Sequence, residues 1–288
     1  MNKYILESMR PRHWVKNLFI LAPLIFGQKL FDWPSIYKVI AAFFLFCLAA
    51  SSAYIINDIF DCEKDRHHPK KARRPIASNK ISLSAAKLAA LILLGVSLSG
   101  AFYLNHKFAI VILAYFILNI FYSVWLKYVV IIDVMCIGVF FILRLVAGSI
   151  VINQNLSHWI IICGGLLALF LGFSKRYAET YLLDKKAADY RPVLDSYDLK
   201  FLSQMVLIIA SALVICYTLY TIDARTYANF GTKNLLYTIP LVYYGIFRYL
   251  YDLLKNKVQL DPTSIFFNDK KLQLNVLLWI IAVIIIIY

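Results

Sequence analysis

Four polar side chains at the end of an apolar run of membrane length have the clearest chemistry in this sequence. They follow one another at steps of one, three and four residues: Asn57, Asp58, Asp61 and Asp65. If a helix continues to Asp65, the three carboxylates share one face, because steps of three and four return to the same side. Such a cluster is tolerated when a hard cation lies between the oxygens, and Mg²⁺ is usually shared with substrate phosphates. The alternative is a solvated loop where a membrane helix meets water.

A basic run follows the carboxylates and offers positive charge to phosphate groups. It consists of Lys70, Lys71, Arg73 and Arg74. A second basic stretch, at Arg10, Arg12 and Lys16, comes just before the first apolar run. Those three cations could bind a phosphorylated ligand, and they could equally contact anionic lipid.

Two other helix ends carry cations. Tyr122 precedes Lys127 by five residues, so both could reach the same mouth. The alternative there is an aromatic anchor beside an ordinary membrane-flanking lysine.

Lys175 and Arg176 precede Glu179 by four and three residues, so Glu179 could orient both bases toward an anion. An ordinary basic helix end is the alternative.

The fifth apolar span contains two charged residues, Asp133 and Arg144. An arginine at mid-bilayer costs about 2.5–3.5 kcal/mol on insertion scales, so Arg144 should face a polar cavity or a partner. The two residues lie eleven positions apart, which places them on one face about 16 Å apart along the axis. We expect them to form the floor and rim of one polar cavity. The alternative is that Arg144 pairs with a backbone carbonyl for packing.

The composition identifies the elements that must position these residues. The chain has 288 residues, 61% of them hydrophobic, and a mean hydropathy of +0.70. Runs long enough to cross a bilayer recur along its length, which predicts an all-α polytopic membrane protein in a single domain over 1–288. About nine spans are expected, at 17–31, 36–56, 84–104, 107–124, 129–152, 157–174, 200–222, 235–251 and 272–288. The first contains Pro23 and Gly27 and could be bent or only partly inserted.

The distribution of cations predicts the orientation. With nine crossings, 24 of the 30 Lys and Arg residues fall on one side, together with nearly all of the candidate residues. The positive-inside rule makes that side and the N-terminus cytoplasmic, as in a bacterial-type inner membrane. The net charge of +14 is thereby explained by orientation, and we expect no nucleic-acid partner. The five scattered cysteines predict neither a disulfide framework nor a zinc site.

Several segments together resemble the UbiA superfamily of intramembrane prenyltransferases. They are NDxxDxxxD at 57–65, YxxxxK at 122–127, RPRHWVKNLFILAPLIF, LRLVAGS, SKRYAE and RPVLDSY. The resemblance covers nearly the whole chain and implies a ring of nine helices around a central cavity that opens to the cytoplasmic side. There, Mg²⁺ would hold a diphosphate. A homo-oligomer is left open.

One departure from the general family pattern favours a branch, that of the decaprenyl-phosphate phosphoribosyltransferases. The second aspartate-rich motif of the prenyltransferases is replaced here by Ser174-Lys-Arg-Tyr-Ala-Glu179. A phosphoribosyltransferase brings two anions together, so it needs one metal site for the departing diphosphate and direct cations for the other phosphates. The branch implies transfer of a 5-phosphoribosyl group from phosphoribosyl diphosphate to a long-chain polyprenyl phosphate, for a lipid precursor of a cell-wall or related glycan.

The resemblance also implies roles for individual residues. Asn57 and the three aspartates would hold Mg²⁺. The candidate phosphate binders are Lys16, Arg66, Arg73, Arg74, Tyr122, Lys127, Lys175 and Arg176. Asp133 is a candidate for contact with a ribose hydroxyl or for ordering a base, and Arg144 for contact with the lipid phosphate.

Two other functions remain open at this stage. The first is prenyl transfer from a prenyl diphosphate to an aromatic acceptor, which the acidic motif permits and SKRYAE disfavours. The second is a lipid-phosphate transporter, which would explain the basic loops and Arg144 but not the clustered carboxylates. We see no internal inverted repeats, which transporters often show.

Overall fold

The computed structural model describes residues 3–67, 71–183, 192–255 and 262–288. Within these ranges every regular element is a helix, which confirms the all-α prediction. By packing, the chain divides into two compact units, Met1–Cys136 with Phe140–Leu156, and Ile137–Val139 with Ser157–Tyr288. The single domain over 1–288 and the ring around a central cavity stay predictions.

The α-helices of the first unit, with the one that begins the second, are α1 (Lys3–Ser8), α2 (Ala22–Phe26), α3 (Trp33–Phe60), α4 (Cys62–Arg66), α5 (Leu83–Leu104), α6 (His106–Val124), α7 (Ile132–Val151) and α8 (His158–Leu183). The remaining α-helices are α9 (Leu199–Ile222), α10 (Ala224–Phe230), α11 (Ile239–Lys255), α12 (Pro262–Asn268) and α13 (Lys270–Ile287). Segments of 3₁₀ helix cover Pro11–Leu21, Lys71–Arg73, Leu126–Tyr128, Pro192–Ser196 and Asn234–Thr238.

Seven of the described helices are long and apolar enough to cross a membrane: α3, α5, α6, α7, α8, α9 and α13. They correspond to seven of the nine predicted spans, and the protein is therefore a multi-pass membrane protein. The largest boundary error is at α8, which continues to Leu183, well past the predicted end at residue 174. The SKRYAE segment consequently lies on a helix rather than after one.

The first predicted span is not an α-helix. Pro11–Leu21 forms an unusually long 3₁₀ helix of 11 residues, and the five-residue α2 follows it. At about 2.0 and 1.5 Å per residue, the two cover about 30 Å, the thickness of the hydrocarbon core. The 3₁₀ helix runs antiparallel to α3, because Trp14 Nε1 donates to Ser51 Oγ and Asn17 Nδ2 to Cys47 Sγ, each at 3.1 Å.

The eighth predicted span is also altered. The corresponding helix, α11, has 17 residues and carries Arg248, Asp252 and Lys255 in its second half. Arg248 Nε donates to Asp269 Oδ2 at 2.6 Å, next to the start of α13. The predicted count of nine spanning α-helices is therefore not confirmed within the described ranges.

Small residues on α3 allow close packing in the first unit. Ala49, Ala50 and Ala53 are almost fully buried, as expected where membrane helices approach closely. Ser52 Oγ donates to the carbonyl oxygen of Ala90 on α5 at 2.8 Å. These contacts fix α3 against α5, and the end of α3 carries Asp58.

Candidate active site

The acidic motif lies where α3 ends and the short helix α4 begins. Asp61 terminates α3 with φ −90° and ψ 2°, and α4 then carries Asp65. Asp58 and Asp65 are each only 3% exposed. Helix-type hydrogen bonds continue across this junction, since the Asp61 N–H donates to the Asn57 carbonyl oxygen at 2.9 Å and the Asp65 N–H to the Asp61 carbonyl oxygen at 2.8 Å. The three carboxylates differ in their partners: Asp58 and Asp65 share one arginine, and Asp61 contacts a lysine.

Arg74 joins the two carboxylates of the pair. Its Nη1 atom donates to Asp58 Oδ1 at 2.9 Å and to Asp65 Oδ2 at 2.5 Å. The two acceptor oxygens are therefore at most about 5.4 Å apart, since one nitrogen contacts both. One positive centre thus lies between two buried carboxylates.

Arg10 supplies a second cation to the same pair. Its Nη2 atom forms an ion pair with Asp58 Oδ1, and its guanidinium lies 5.2 Å from the ring centroid of Tyr54. Arg10 has the left-handed backbone conformation, with φ 53° and ψ 61°, between α1 and the first 3₁₀ helix. Because non-glycine residues rarely adopt it, this conformation indicates a local constraint that the ion pair accounts for.

Lys127 reaches the third carboxylate from the 3₁₀ helix after α6. Its Nζ atom is 2.6 Å from Asp61 Oδ1, and the lysine is only 7% exposed. Next to it, Lys64 Nζ donates to the hydroxyl of Tyr128 at 3.0 Å, and this hydrogen bond raises the pKa of Lys64. Lys127 of the YxxxxK segment therefore contacts the acidic motif, which is one of the two readings that its spacing left open.

The donor set fits a divalent cation only in part. Among the described residues, no group of three His, Cys, Asp or Glu side chains is arranged to hold a metal ion. The pair Asp58 and Asp65 nevertheless converges on one cationic nitrogen, and Mg²⁺ is commonly held by one or two carboxylates together with substrate phosphates. The pair fits Mg²⁺ of that kind, provided that Arg74 leaves its position between the oxygens.

An apolar anchor positions the basic segment after α4. Ile76 is 1% exposed and belongs to a cluster that also contains Met9, Ile55 and Cys62. Ser78 Oγ donates to the Arg74 carbonyl oxygen at 2.8 Å, which closes the turn. This packing holds the Arg74 backbone beside the end of α3. Lys70 lies outside the described residues.

The other two arginines of this region differ in their surroundings. Arg66 donates to Glu63 Oε1 at 2.8 Å and to Asn79 Oδ1 at 2.9 Å, so it is used in the loop itself. Arg73 is exposed and lines a cavity of about 230 Å³ next to Asp58. The walls of this cavity are Glu7, Ser8, Arg10, Asp58, Arg73, Arg74 and Pro75.

Four other predicted site residues also lie in the first unit. Asn57 is half-buried, and its carbonyl oxygen accepts the Asp61 N–H at 2.9 Å. Lys16 is half-buried and Asp133 is fully buried. Tyr122 packs edge-on against Phe140, with ring centroids 5.7 Å apart.

Arg144 is held in a buried network. Its Nε donates to Asn17 Oδ1 at 2.8 Å, its Nη1 to the Phe140 carbonyl oxygen at 2.6 Å and its Nη2 to the Tyr115 hydroxyl at 3.2 Å. The guanidinium also lies 5.3 Å from the Phe46 ring centroid and is 3% exposed as a residue. The alternative of pairing with a backbone carbonyl is therefore observed, and Arg144 ties α7 to the first 3₁₀ helix.

The SKRYAE segment belongs to the second unit. Arg176 Nη1 lies 2.6 Å from Glu179 Oε2, and Lys175 Nζ lies 4.0 Å from Glu179 Oε1. Glu179 thus orients both bases, as the spacing predicted. Arg176 is 1% exposed, whereas the Lys175 side chain is 34% exposed and is the more accessible of the two.

Sequence reasoning did not assign Arg10 or Glu7 to the site. Arg10 was visible only as one of several cations before the first span, and its partner Asp58 lies 48 residues away. The signal that could have singled it out is its place within the RPRHWVKN segment that carries the family resemblance. Glu7 lies in a polar start of the chain that has no diagnostic spacing.

Comparisons with known proteins agree with this architecture. A model described as the UbiA prenyltransferase family matches residues 19–270. A decaprenyl-phosphate phosphoribosyltransferase of Mycobacterium tuberculosis is 33% identical over 285 residues, covering 97% of this chain and 92% of the relative. One of Mycolicibacterium smegmatis is 33% identical over 291 residues, covering 96% and 90%. The solved UbiA homologue from Archaeoglobus fulgidus bound to DMAPP and Mg²⁺ has a TM-score of 0.74 at 20% identity, covering 99% of both chains.

The family model spans most of the chain, and the curated relatives are matched over nearly their full length. The likeness to the archaeal structure shows the same fold. The chain is therefore a membrane transferase that belongs to the UbiA prenyltransferase family.

Proposed function

We propose that this protein transfers a 5-phosphoribosyl group from phosphoribosyl diphosphate to a long-chain polyprenyl phosphate and releases diphosphate. The observation that carries the proposal is the acidic pair, Asp58 and Asp65, whose two carboxylates are bridged by Arg74. Three cations of the first unit, Arg10, Arg74 and Lys127, surround it and its neighbour Asp61. The relatives that match the chain over nearly its full length are named decaprenyl-phosphate phosphoribosyltransferases, which supports this choice of substrates.

The leaving diphosphate determines what the acidic motif must do. Asp58 and Asp65 would hold Mg²⁺, with Asn57 and Asp61 as further candidate oxygen ligands. When bound, Mg²⁺ neutralises charge that develops on the departing diphosphate. Arg74 and Arg10 contact these carboxylates, and both would turn to phosphate oxygens when the carboxylates hold a metal. Lys127 would hold Asp61 in place or contact the diphosphate directly.

The acceptor requires little chemistry from the protein. A polyprenyl phosphate is already an anion near neutral pH, so its oxygen attacks the ribose C1 without a strong general base. The C1–diphosphate bond breaks as the new C1–O bond forms, and catalysis rests on positioning and charge. Lys175 is our candidate for the lipid phosphate, because it is the exposed base of SKRYAE. Arg144 would act by fixing Asn17 and the first 3₁₀ helix.

The arrangement of loops supports a cytoplasmic mouth. The regions 1–16, 57–87 and 125–128 were predicted on one side, and their residues Arg10, Asp58, Asp61 and Lys127 meet in the first unit. These regions hold thirteen of the thirty cations of the chain. We therefore place the N-terminus and the acidic motif on the cytoplasmic side of a bacterial-type inner membrane.

A second candidate is prenyl transfer from a prenyl diphosphate to an aromatic acceptor. The likeness in fold to an archaeal homologue solved with DMAPP and Mg²⁺ favours it. The basic SKRYAE segment disfavours it, because such a donor would be held by a second acidic, metal-binding motif. The two candidates share the first acidic motif and differ in their substrates.

The test uses purified protein in detergent with Mg²⁺. One reaction receives labelled phosphoribosyl diphosphate and a polyprenyl phosphate, and the other receives a labelled prenyl diphosphate and an aromatic acid. We expect label to enter the organic phase in the first reaction, and to be lost with a chelator or in Asp58→Asn. Asp32→Asn is the matched control, because Asp32 lies at the opposite end of α3 and accepts a hydrogen bond from Ser35.

Prenylated aromatic product in the second reaction, with no transfer in the first, would replace the proposal by the second candidate. Lipid-phosphate movement across vesicles by a protein that is inactive in both reactions would point to a transporter instead. Equal loss of activity in Asp58→Asn and Asp32→Asn would show that the acidic motif has no special role.

A further inference from the structure

We propose that the cavity beside the acidic pair is a pocket for the phosphate monoester of a sugar phosphate, with Arg73 and Arg10 as phosphate ligands and Glu7 as the acceptor of a sugar hydroxyl. The proposal rests on the proposed function, whose donor carries a second phosphate on its ribose. In the proposed function the predicted metal holds the diphosphate, so that phosphate needs ligands of its own. The pocket would therefore recognise the donor independently of its diphosphate.

The size of the cavity limits its ligand. Its volume is about 230 Å³, below the range of about 300–1,000 Å³ for pockets that enclose drug-sized molecules. A phosphate with part of a sugar fits this space. Pro75 forms one wall, and the segment that follows it is anchored by the buried Ile76.

The charge of the lining favours an anion. Three arginines line the cavity against two carboxylates, Glu7 and Asp58. Arg10 and Arg74 are paired with Asp58. Arg73 is exposed and has no hydrogen bond or ion pair to any of the described residues. A guanidinium offers a fork of donors that matches phosphate oxygens, so Arg73 is available for a ligand.

The backbone at Arg10 supports a ligand role for that side chain. Glycine adopts a φ of 53° without penalty, but this position carries arginine. The unfavourable backbone conformation of Arg10 is explained if its side chain has a role at this position, between Asp58 and the cavity. Arg10 can then pair with Asp58 alone or with Asp58 and a bound phosphate.

Glu7 distinguishes a sugar phosphate from a lipid phosphate. Its carboxylate is exposed at the cavity and would repel a bare phosphate, but it can accept a hydrogen bond from a hydroxyl. A ribose phosphate supplies hydroxyl groups close to its phosphate. A polyprenyl phosphate supplies none, so the lining favours the sugar phosphate.

The test measures binding of labelled ribose 5-phosphate by equilibrium dialysis, with detergent-purified full-length protein and a chelator in place of metal. Arg73→Gln should weaken binding at least about tenfold, the effect of losing one charged hydrogen bond. Lys87→Gln is the control for charge, because Lys87 is an exposed cation on α5 outside the cavity lining. Arg10→Gly, which removes the side chain and relieves the backbone, should also weaken binding.

Competing ligands identify the source of the phosphate. Unlabelled ribose 5-phosphate should displace the label better than inorganic phosphate or farnesyl phosphate, and Glu7→Gln should abolish that advantage. Better displacement by farnesyl phosphate would assign the pocket to the lipid headgroup and overturn the proposal. Equal weakening by Arg73→Gln and Lys87→Gln would also overturn it, because only the overall charge would then matter.

Parallel transfer assays separate this proposal from the proposed function. Binding that depends on Arg73, in a protein that transfers no phosphoribosyl group, would retain the pocket and reject the function. Normal transfer by Arg73→Gln, without measurable ribose 5-phosphate binding in the unaltered protein, would retain the function and reject the pocket.

Discussion

Replacing Arg74 by glutamine should strengthen metal binding when no phosphate is present, even though Arg74 belongs to the proposed site. Arg74 Nη1 lies between Asp58 Oδ1 and Asp65 Oδ2, at 2.9 and 2.5 Å. A Mg²⁺ ion needs oxygen ligands at about 2.0–2.1 Å, so it must take the place of that guanidinium. In the unaltered protein the arginine therefore competes with the metal.

The expected size of the effect follows from the two hydrogen bonds that the metal must break. A hydrogen bond to a charged group contributes about 1.5–3 kcal/mol net. The Arg74 side chain is 25% exposed, so water replaces part of what is lost. We therefore count only one of the two bonds, at the lower end of that range, about 1.5 kcal/mol, which corresponds to a metal dissociation constant about tenfold lower in Arg74→Gln.

The assay is titration with Mn²⁺ as a stand-in for Mg²⁺, in which the free ion is followed by electron paramagnetic resonance. Arg66→Gln removes the same charge from α4, where Arg66 contacts Glu63 and Asn79, and should leave the affinity unchanged. Asp58→Asn should abolish the tight site. Added inorganic diphosphate should reverse the order, so that the unaltered protein binds the metal complex more tightly than Arg74→Gln.

The opposite sign would refute this account. If Arg74→Gln binds Mn²⁺ less tightly, while size-exclusion chromatography shows an intact protein, then Arg74 supports the metal ligands and does not compete with the ion. An equal gain in Arg66→Gln would show that only the overall charge of the region changes metal affinity.

Three further substitutions test other parts of the structure. Gly148→Ala should lower the thermal unfolding temperature in detergent, because a Cβ there would lie 2.1 Å from the Ile20 carbonyl oxygen. Overpacking of this kind costs about 1–3 kcal/mol. Gly95→Ala is the control, since a Cβ at Gly95 meets nothing within 4 Å. Arg144→Gln should destabilise the protein by about 3 kcal/mol or more, since it leaves buried hydrogen-bond partners unpaired. An unchanged unfolding temperature together with loss of lipid-phosphate binding would instead identify Arg144 as a ligand. Lys127→Gln should lower the transfer rate at least about tenfold, because Asp61 loses its ion-pair partner. Lys107→Gln, near the opposite end of α6, should not lower it. Equal transfer rates for Lys127→Gln and the unaltered protein would exclude Lys127 from the site.

The membrane class and most of the helices were predictable because hydropathy is a local property of the chain. Seven spans were recognised from apolar length alone, since a bilayer requires about 20 residues of α-helix. The first span was the exception. Its hydropathy indicated a membrane segment, but hydropathy does not distinguish a 3₁₀ helix from an α-helix. Close packing of Ile20 against Gly148, over a hundred residues away, accompanies that conformation.

The composition of the candidate site was predicted better than its pairing. The spacing of the aspartates and the position of Lys127 indicated one mouth, and Lys127 does contact Asp61. Spacing could not show that Arg74 bridges Asp58 and Asp65 while Asp61 has a different partner. It also gave no reason to prefer Arg10 over the other cations near the start of the chain.

Arg144 shows why such pairings need the tertiary structure. Its charge and its depth in a span were evident from the sequence, and both a ligand role and a packing role were consistent with them. The choice depends on Asn17 and Tyr115, which lie 127 and 29 residues away and accept hydrogen bonds from its guanidinium. A charged side chain in an apolar segment needs a partner, and this need is evident from the sequence alone. Only the packing of α6, α7 and the first 3₁₀ helix supplies the partner.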